Sequence, residues 1–83
     1  MLGMSTLAVT VEPLAVKVSC TDDTLRVVLA DGREVSVPLP WFPRLQKASP
    51  EQRRDWRLIG GGIGIHWEAV DEDISVESLL ALS

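Results

Sequence analysis

Between Val16 and Val37 apolar residues recur at every second position, and two turn signals divide the run into three segments. Val16, Val18 and Cys20 alternate with Lys17 and Ser19, then Leu25, Val27 and Leu29 follow, then Val35 and Val37. A period of two puts alternate side chains on one face of an extended chain. Thr21-Asp22-Asp23-Thr24 separates the first two segments, and Asp tolerates turn geometry because it bonds its own backbone. Asp31-Gly32 separates the second and third, the pair favoured for a two-residue primed hairpin in which both central residues take positive φ. Pro38 and Pro40 then end the pattern, because neither can donate to a ladder. The pattern predicts a three-stranded antiparallel meander with one apolar face, and that face needs a cover.

The rest of the chain supplies candidates for the cover. Trp41-Phe42-Pro43-Arg44-Leu45 predicts a short helical turn with Pro43 near its first position. Ser49-Pro50-Glu51-Gln52 places a capping Ser, a Pro at the first helical position and a Gln three residues after the cap, so a helix is expected to run to about Trp56. Arg57-Leu58-Ile59 reads as a strand fragment, broken or bulged at Gly60-Gly61-Gly62. Ile63, Ile65 and Trp67 alternate as a further strand, with Gly64 and His66 on its opposite face. Glu68–Asp73 reads as a loop. Ser75 is placed to cap a terminal helix, where Glu77 suits the first turn and Val76, Leu79 and Leu80 form a stripe. Residues 1–15 read as a lead-in with a short strand around Leu7–Val11, and residues 16–83 as a single small α+β domain. The expected architecture is the three-stranded meander plus a further strand, with short helices packed against the sheet.

Size and charge narrow the function. A chain of 83 residues buries roughly 60% of its unfolded surface, which leaves a thin core that a partner or a second copy of the chain, as a homodimer, can extend. The net charge is −4, whereas a phosphate backbone is bound by clustered Lys and Arg, so direct nucleic-acid binding is not expected. The charges are segregated. Arg44, Lys47, Arg53, Arg54 and Arg57 fall in one segment, and Glu68, Asp71, Glu72, Asp73 and Glu77 follow with no Lys or Arg among them. They read as two solvated faces that partly pair with each other, or as an acidic tail that meets a basic partner. Cys20, the single cysteine, makes no internal disulfide and falls in an apolar run, which suits a buried free thiol in a reducing cytoplasm. The N-terminal apolar stretch has no Lys or Arg before it and is interrupted by Glu12-Pro13, so neither a signal peptide nor a membrane span is expected.

No constellation of residues calls for catalysis. Gly60-Gly61-Gly62-Ile63-Gly64 matches neither the dinucleotide fingerprint nor the Walker pattern, and a bulge or close packing against Trp56 or Trp41 is expected instead. His66 has carboxylates nearby in sequence but no nucleophile beside it. The expected roles for it are a hydrogen bond to the acidic loop or contact with a partner. Asp71-Glu72-Asp73 lacks the further ligands and the Gly of a calcium loop, and one His and one Cys do not close a zinc site. No cofactor or metal is expected, and the chain is not read as an enzyme. Trp41, Trp56 and Trp67 divide between core and surface. An aromatic beside an Arg, held on a proline-stiffened loop, has the composition of an interface hot spot. Trp41, Arg44, His66 and Trp67 are therefore the expected partner contacts, with Asp71 and Asp73 from the acidic run.

Read together, Leu14-Ala15-Val16, Asp31-Gly32-Arg33, Val37-Pro38-Leu39, Trp41-Phe42-Pro43-Arg44-Leu45, Trp56, Gly60-Gly61-Gly62, Gly64-Ile65-His66-Trp67, and Asp71–Val76 with Leu79-Leu80 resemble the bacterial domain of unknown function 2442 family over about residues 7–82. The resemblance implies no catalytic residues. It implies a small protein often encoded beside a member of another small family, domain of unknown function 4160. That pairing suggests a toxin-antitoxin type module, with this chain as the antitoxin-like half and a small basic protein encoded nearby as its partner. Some larger members carry a helix-turn-helix domain after this one; with Ser83 as the last residue, none is expected here.

Overall fold

The computed structural model describes residues 13–82. They form six strands and three short helices: β1 Ala15–Cys20, β2 Thr24–Leu29, β3 Glu34–Pro38, α1 Pro43–Gln46, α2 Pro50–Arg54, β4 Trp56–Ile59, β5 Gly64–Trp67, β6 Glu72–Ser75 and α3 Val76–Leu82. Two 3₁₀ turns, Leu39–Trp41 and Glu68–Val70, precede α1 and β6. The strands make two three-stranded antiparallel sheets, β1-β2-β3 and β4-β5-β6. The α+β reading holds, and the expected meander is the first sheet. The second sheet has two strands more than the one clear strand anticipated, since the Arg57–Ile59 fragment is paired and β6 begins inside the predicted loop and runs past its end.

In the first sheet the cross-strand rows are Val18–Val27–Val35 and Cys20–Leu25–Val37, and apart from the half-buried Cys20 each of these side chains is in the core. Val16 departs from the expected inward set. The register slips between Ala15 and Lys17, and this bulge turns Ala15 inward and leaves Val16 exposed. The Asp31-Gly32 hairpin also differs in type. Gly32 has φ +94, but Asp31 is not among the positive-φ residues. Gly32 N–H donates to Leu29 O at 3.0 Å and Leu29 N–H to Arg33 O at 2.8 Å, the pattern of an ordinary turn closed by a glycine bulge. Asp31 favours it by accepting from Arg33 N–H at 3.0 Å.

The Ser49 cap forms as predicted. Its hydroxyl accepts from Gln52 N–H, and the Gln52 side chain accepts from Ser49 N–H, completing a capping box. The helix stops at Arg54 rather than Trp56, because Trp56 is already paired with Trp67 across β4 and β5. Helix α3 packs on both β3 and β6 with Val76 and Leu79 buried, so it closes the core between the sheets. Ser75 caps it, accepting from Ser78 N–H at 3.0 Å.

The glycine triplet turns β4 into β5 with φ of +59, +73 and +116 at Gly60, Gly61 and Gly62. Its packing partner is not Trp56 or Trp41. Gly62 O accepts from Ala15 N–H at 2.8 Å, joining the second sheet to the start of β1, and Ile63, expected in the strand, lies in the turn and is exposed. The strand expected around Leu7–Val11 lies outside the described residues. No helix among them is long and apolar enough to cross a membrane.

Gly62 and Gly61 make a controlled pair. A Cβ at Gly62 would stand 2.5 Å from Ala15 O, whereas one at Gly61 would meet nothing within 4 Å. Gly61→Ala carries only the left-handed penalty of about 1–2 kcal/mol. Gly62→Ala adds a backbone clash and is expected to cost clearly more than that, measured as the difference in urea unfolding free energy.

Candidate functional site

Prolines set up the exposed aromatic loop. Pro38 holds an extended backbone, Pro40 lies in the 3₁₀ turn, and Pro43 opens α1, so the φ angles here are largely preset. Leu39 and Leu45 anchor the segment in the core. Trp41 between them is 49% exposed, an unusual amount for the largest side chain. Arg44, on the solvent side of α1, sends Nη1 to the carbonyl of Asp71 at 2.7 Å. Asp71 is the one described residue other than glycine with a left-handed backbone, at φ +53, and this bend at the end of the Glu68–Val70 turn presents its carbonyl. The aromatic loop and the acidic turn thus form one surface. A shallow cavity of about 320 Å³ lies within it, lined by Arg44, Lys47, Ala48, Gln52 and Val70.

A second group stands on the outer face of the second sheet. Arg57, His66 and Asp73 are cross-strand neighbours on β4, β5 and β6. His66 Nδ1 hydrogen-bonds the Asp73 carboxylate, and Nε2 lies 3.0 Å from Glu68 Oε1. Arg57 Nη2 is 3.3 Å from the same Glu68 oxygen. The hydrogen bond to Asp73, reinforced by Glu68, raises the imidazole above its ordinary value against a smaller opposing effect of burial. A doubly protonated ring donates to both carboxylates at once, which ties β5, the turn and β6 together. No group of three or more His, Cys, Asp and Glu among the described residues is arranged to hold a metal ion.

Of the six expected contact residues, Arg44 and Asp71 meet directly and Trp41 stands on the same loop, while His66 and Asp73 meet on the sheet face. Trp67 is a correction. It is 0% exposed and its indole N–H donates to Arg53 O at 3.0 Å, so it offers no surface to a partner. Alternation already placed it opposite His66, and that opposition is what buries one and leaves the other outside. Trp56 is half-buried against the core. The two charge clusters do meet in part, through Arg57 with Glu68 and Arg44 with the Asp71 backbone. Arg53 is the exception in the basic cluster: it is buried, and nothing in the spacing of basic residues sets it apart from Arg54.

His66 gives a pH signature. Its pKa is raised on folding, so the stabilisation from the charged ring is fully present below the unfolded value of about 6.5 and is lost as pH rises through the folded value. The stability difference between the wild type and His66→Gln is therefore expected to be largest near about pH 5.5 and to shrink at alkaline pH, as read from denaturation midpoints.

A family model described as protein of unknown function (DUF2442) matches residues 15–83. The chain is also similar to a protein of unknown function from Rhodospirillum rubrum ATCC 11170, known from a crystal structure: 32% identity, a TM-score of 0.73, and coverage of 86% of this chain and 88% of that one. No curated protein matches. A match over nearly all of the described residues, on a shared backbone arrangement, places the chain in the DUF2442 family of proteins of unknown function.

Proposed function

We propose that this chain is a protein-interaction module, the antitoxin-like half of a two-protein unit, which binds a small basic protein encoded nearby. The observation that carries the reading is the half-exposed Trp41, held rigidly by prolines beside Arg44 and continuous with the acidic turn at Asp71. A large exposed aromatic next to an Arg is the usual composition of an interface centre. The surrounding carboxylates of Glu68 and Asp73, both well exposed, supply the rim charge that steers a cationic partner. His66 acts there as a positioning residue that holds both carboxylates. The working compartment on this reading is the cytoplasm, in keeping with the unpaired Cys20.

Co-expression with the neighbouring gene product, followed by affinity capture and native mass spectrometry, tests this. Trp41→Ala is expected to weaken the complex by about 2 kcal/mol or more, roughly thirtyfold, and Arg44→Ala to weaken it by releasing the loop from the Asp71 carbonyl. Both variants leave core side chains untouched and are expected to fold. Unchanged capture and unchanged growth protection would overturn the surface.

A homodimer is the second reading, favoured by one observation. Strand β4 is an edge strand whose Leu58 and Ile59 are exposed, with Ile63 exposed at the adjoining turn, and an apolar edge is a template for pairing. Sedimentation at micromolar concentration decides it: a dimer that Ile59→Lys reduces to monomer supports self-association, and a wild-type monomer rejects it.

A further inference from the structure

A cleft of about 410 Å³ opens between β1 and α2, lined among others by Ser19, Cys20, Asp22, Arg53, Arg54 and Trp56. It shares no residue with the Trp41 surface. Its polar lining consists mainly of donors. Arg53, with a side chain only 10% exposed, spends Nε on Leu45 O at 2.9 Å, Nη2 on Gln46 O at 2.7 Å and Nη1 on Asp22 Oδ1 at 3.2 Å. A guanidinium has five N–H groups, so one on each terminal nitrogen has no protein acceptor among the described residues. Arg54 is exposed and has no carboxylate partner among them, and the Trp56 indole N–H donates to no protein group among them either. The one carboxylate in the cleft is that of Asp22, whose side chain is fully exposed and reaches Arg53 from the rim. Cys20 adds no negative charge at neutral pH, because burial pushes its thiol up.

One wall of the cleft is an open strand edge. Strand β1 pairs with β2 on one side; on the other it is held at Ala15 by Gly62, and along Val18–Cys20 no strand among the described residues is hydrogen-bonded to it, α2 and β4 standing across the cleft. An extended backbone can add to such an edge and place alternate side chains into the pocket beneath. We propose that this cleft binds an extended acidic peptide segment, whose backbone lies along β1 and whose Glu or Asp carboxylate takes the place of Asp22 on Arg53 and is also met by Arg54, with an apolar side chain two residues along against Trp56. Asp22 is then a built-in competitor that fills the site when no peptide is bound. Charge complementarity selects the ligand: a bidentate carboxylate matches the guanidinium fork, and a basic segment would face two arginines.

The test uses the full chain and an acetylated, amidated pentapeptide with a glutamate and a valine two residues apart among serines, with its glutamine counterpart as control. Binding is read from amide shifts of Val18–Asp22 and the Trp56 indole N–H in NMR titration. Saturable shifts with the glutamate peptide and none with the glutamine peptide are expected. Asp22→Asn is expected to tighten binding roughly threefold, since the competing surface carboxylate is gone. Arg54→Glu is expected to weaken it roughly tenfold through loss and reversal of a charge-assisted contact. Trp41→Ala should leave it unchanged, which separates this site from the partner surface above. Absence of saturable shifts in both the wild type and Asp22→Asn, or equal binding of the glutamine peptide, overturns the proposal; so does an Asp22→Asn variant that loses stability without gaining affinity.

Discussion

Arg53 ties α1, the β1–β2 turn, the α2 cap and the second sheet together through hydrogen bonds. Its side chain takes the last carbonyls of α1 at Leu45 and Gln46 and the Asp22 carboxylate in the β1–β2 turn. Its backbone N–H bonds Ser49 O, and its carbonyl accepts the indole N–H of Trp67 from the second sheet. A helix of four residues such as α1 leaves its last carbonyls short of partners within the helix; Leu45 O accepts from Ala48 N–H, and Arg53 of the next helix reaches both Leu45 O and Gln46 O. Hydrogen bonds from a charged donor contribute roughly 1.5–3 kcal/mol each, against several kcal/mol for withdrawing a cation from water. Burial of Arg53 is favourable only while its acceptors stay in place, which couples α1, α2, the first hairpin and Trp67 into one unit.

Around that coupling the chain splits its small core between two sheets. Neither three-stranded sheet could bury its apolar face alone. Leu79 and Val76 of α3 and Trp67 and Ile65 of β5 fill the space that the valine rows of the first sheet leave open. The sheets are joined edge to end at Ala15 and Gly62, where only a glycine permits the close approach. Beyond that point no strand among the described residues is hydrogen-bonded to this edge of β1, and the gap becomes the cleft beside Arg53 and Trp56. The same economy leaves β4 as a short apolar edge. A domain of this size has more edges than it has elements with which to cover them, and these edges, with the Trp41 loop, are where its surface invites association.

Charge on the outer face of the second sheet ties neighbouring elements together. His66 stands between two carboxylates on different elements, and its raised pKa follows from donating to both. Arg57 shares Glu68 with it, so the contacts Arg57–Glu68–His66–Asp73 alternate positive and negative. Exposed pairs of this kind contribute little stability singly, commonly below about 1 kcal/mol. Their effect is to fix the orientation of Glu68 and Asp73 next to the turn that carries Asp71.

The sequence by itself determined the elements whose signals are local. Period-two alternation defined the first sheet, Ser49 through Gln52 defined the α2 cap, and Ser75 with Val76, Leu79 and Leu80 defined α3, because each depends on neighbours within a few residues. Trp41, Arg44, His66, Asp71 and Asp73 were legible as a polar and aromatic set on the same basis. Tertiary structure decided the rest. The bulge that turns Val16 outward exists because Ala15 must meet Gly62, some forty-seven positions away. Strand β6 forms from Glu72-Asp73-Ile74-Ser75, a stretch with weak strand propensity, because β5 offers it a ladder and His66 offers Asp73 a cation. Trp67 is core although His66 and Glu68 flank it, and Trp41 is surface although Pro40 and Phe42 flank it, since one faces the second sheet's interior and the other sits outside a proline-fixed turn. Arg53 is buried and Arg54 is not because only Arg53 faces the last carbonyls of α1, and no local pattern in the chain records which of two adjacent arginines will meet a helix end folded back from elsewhere.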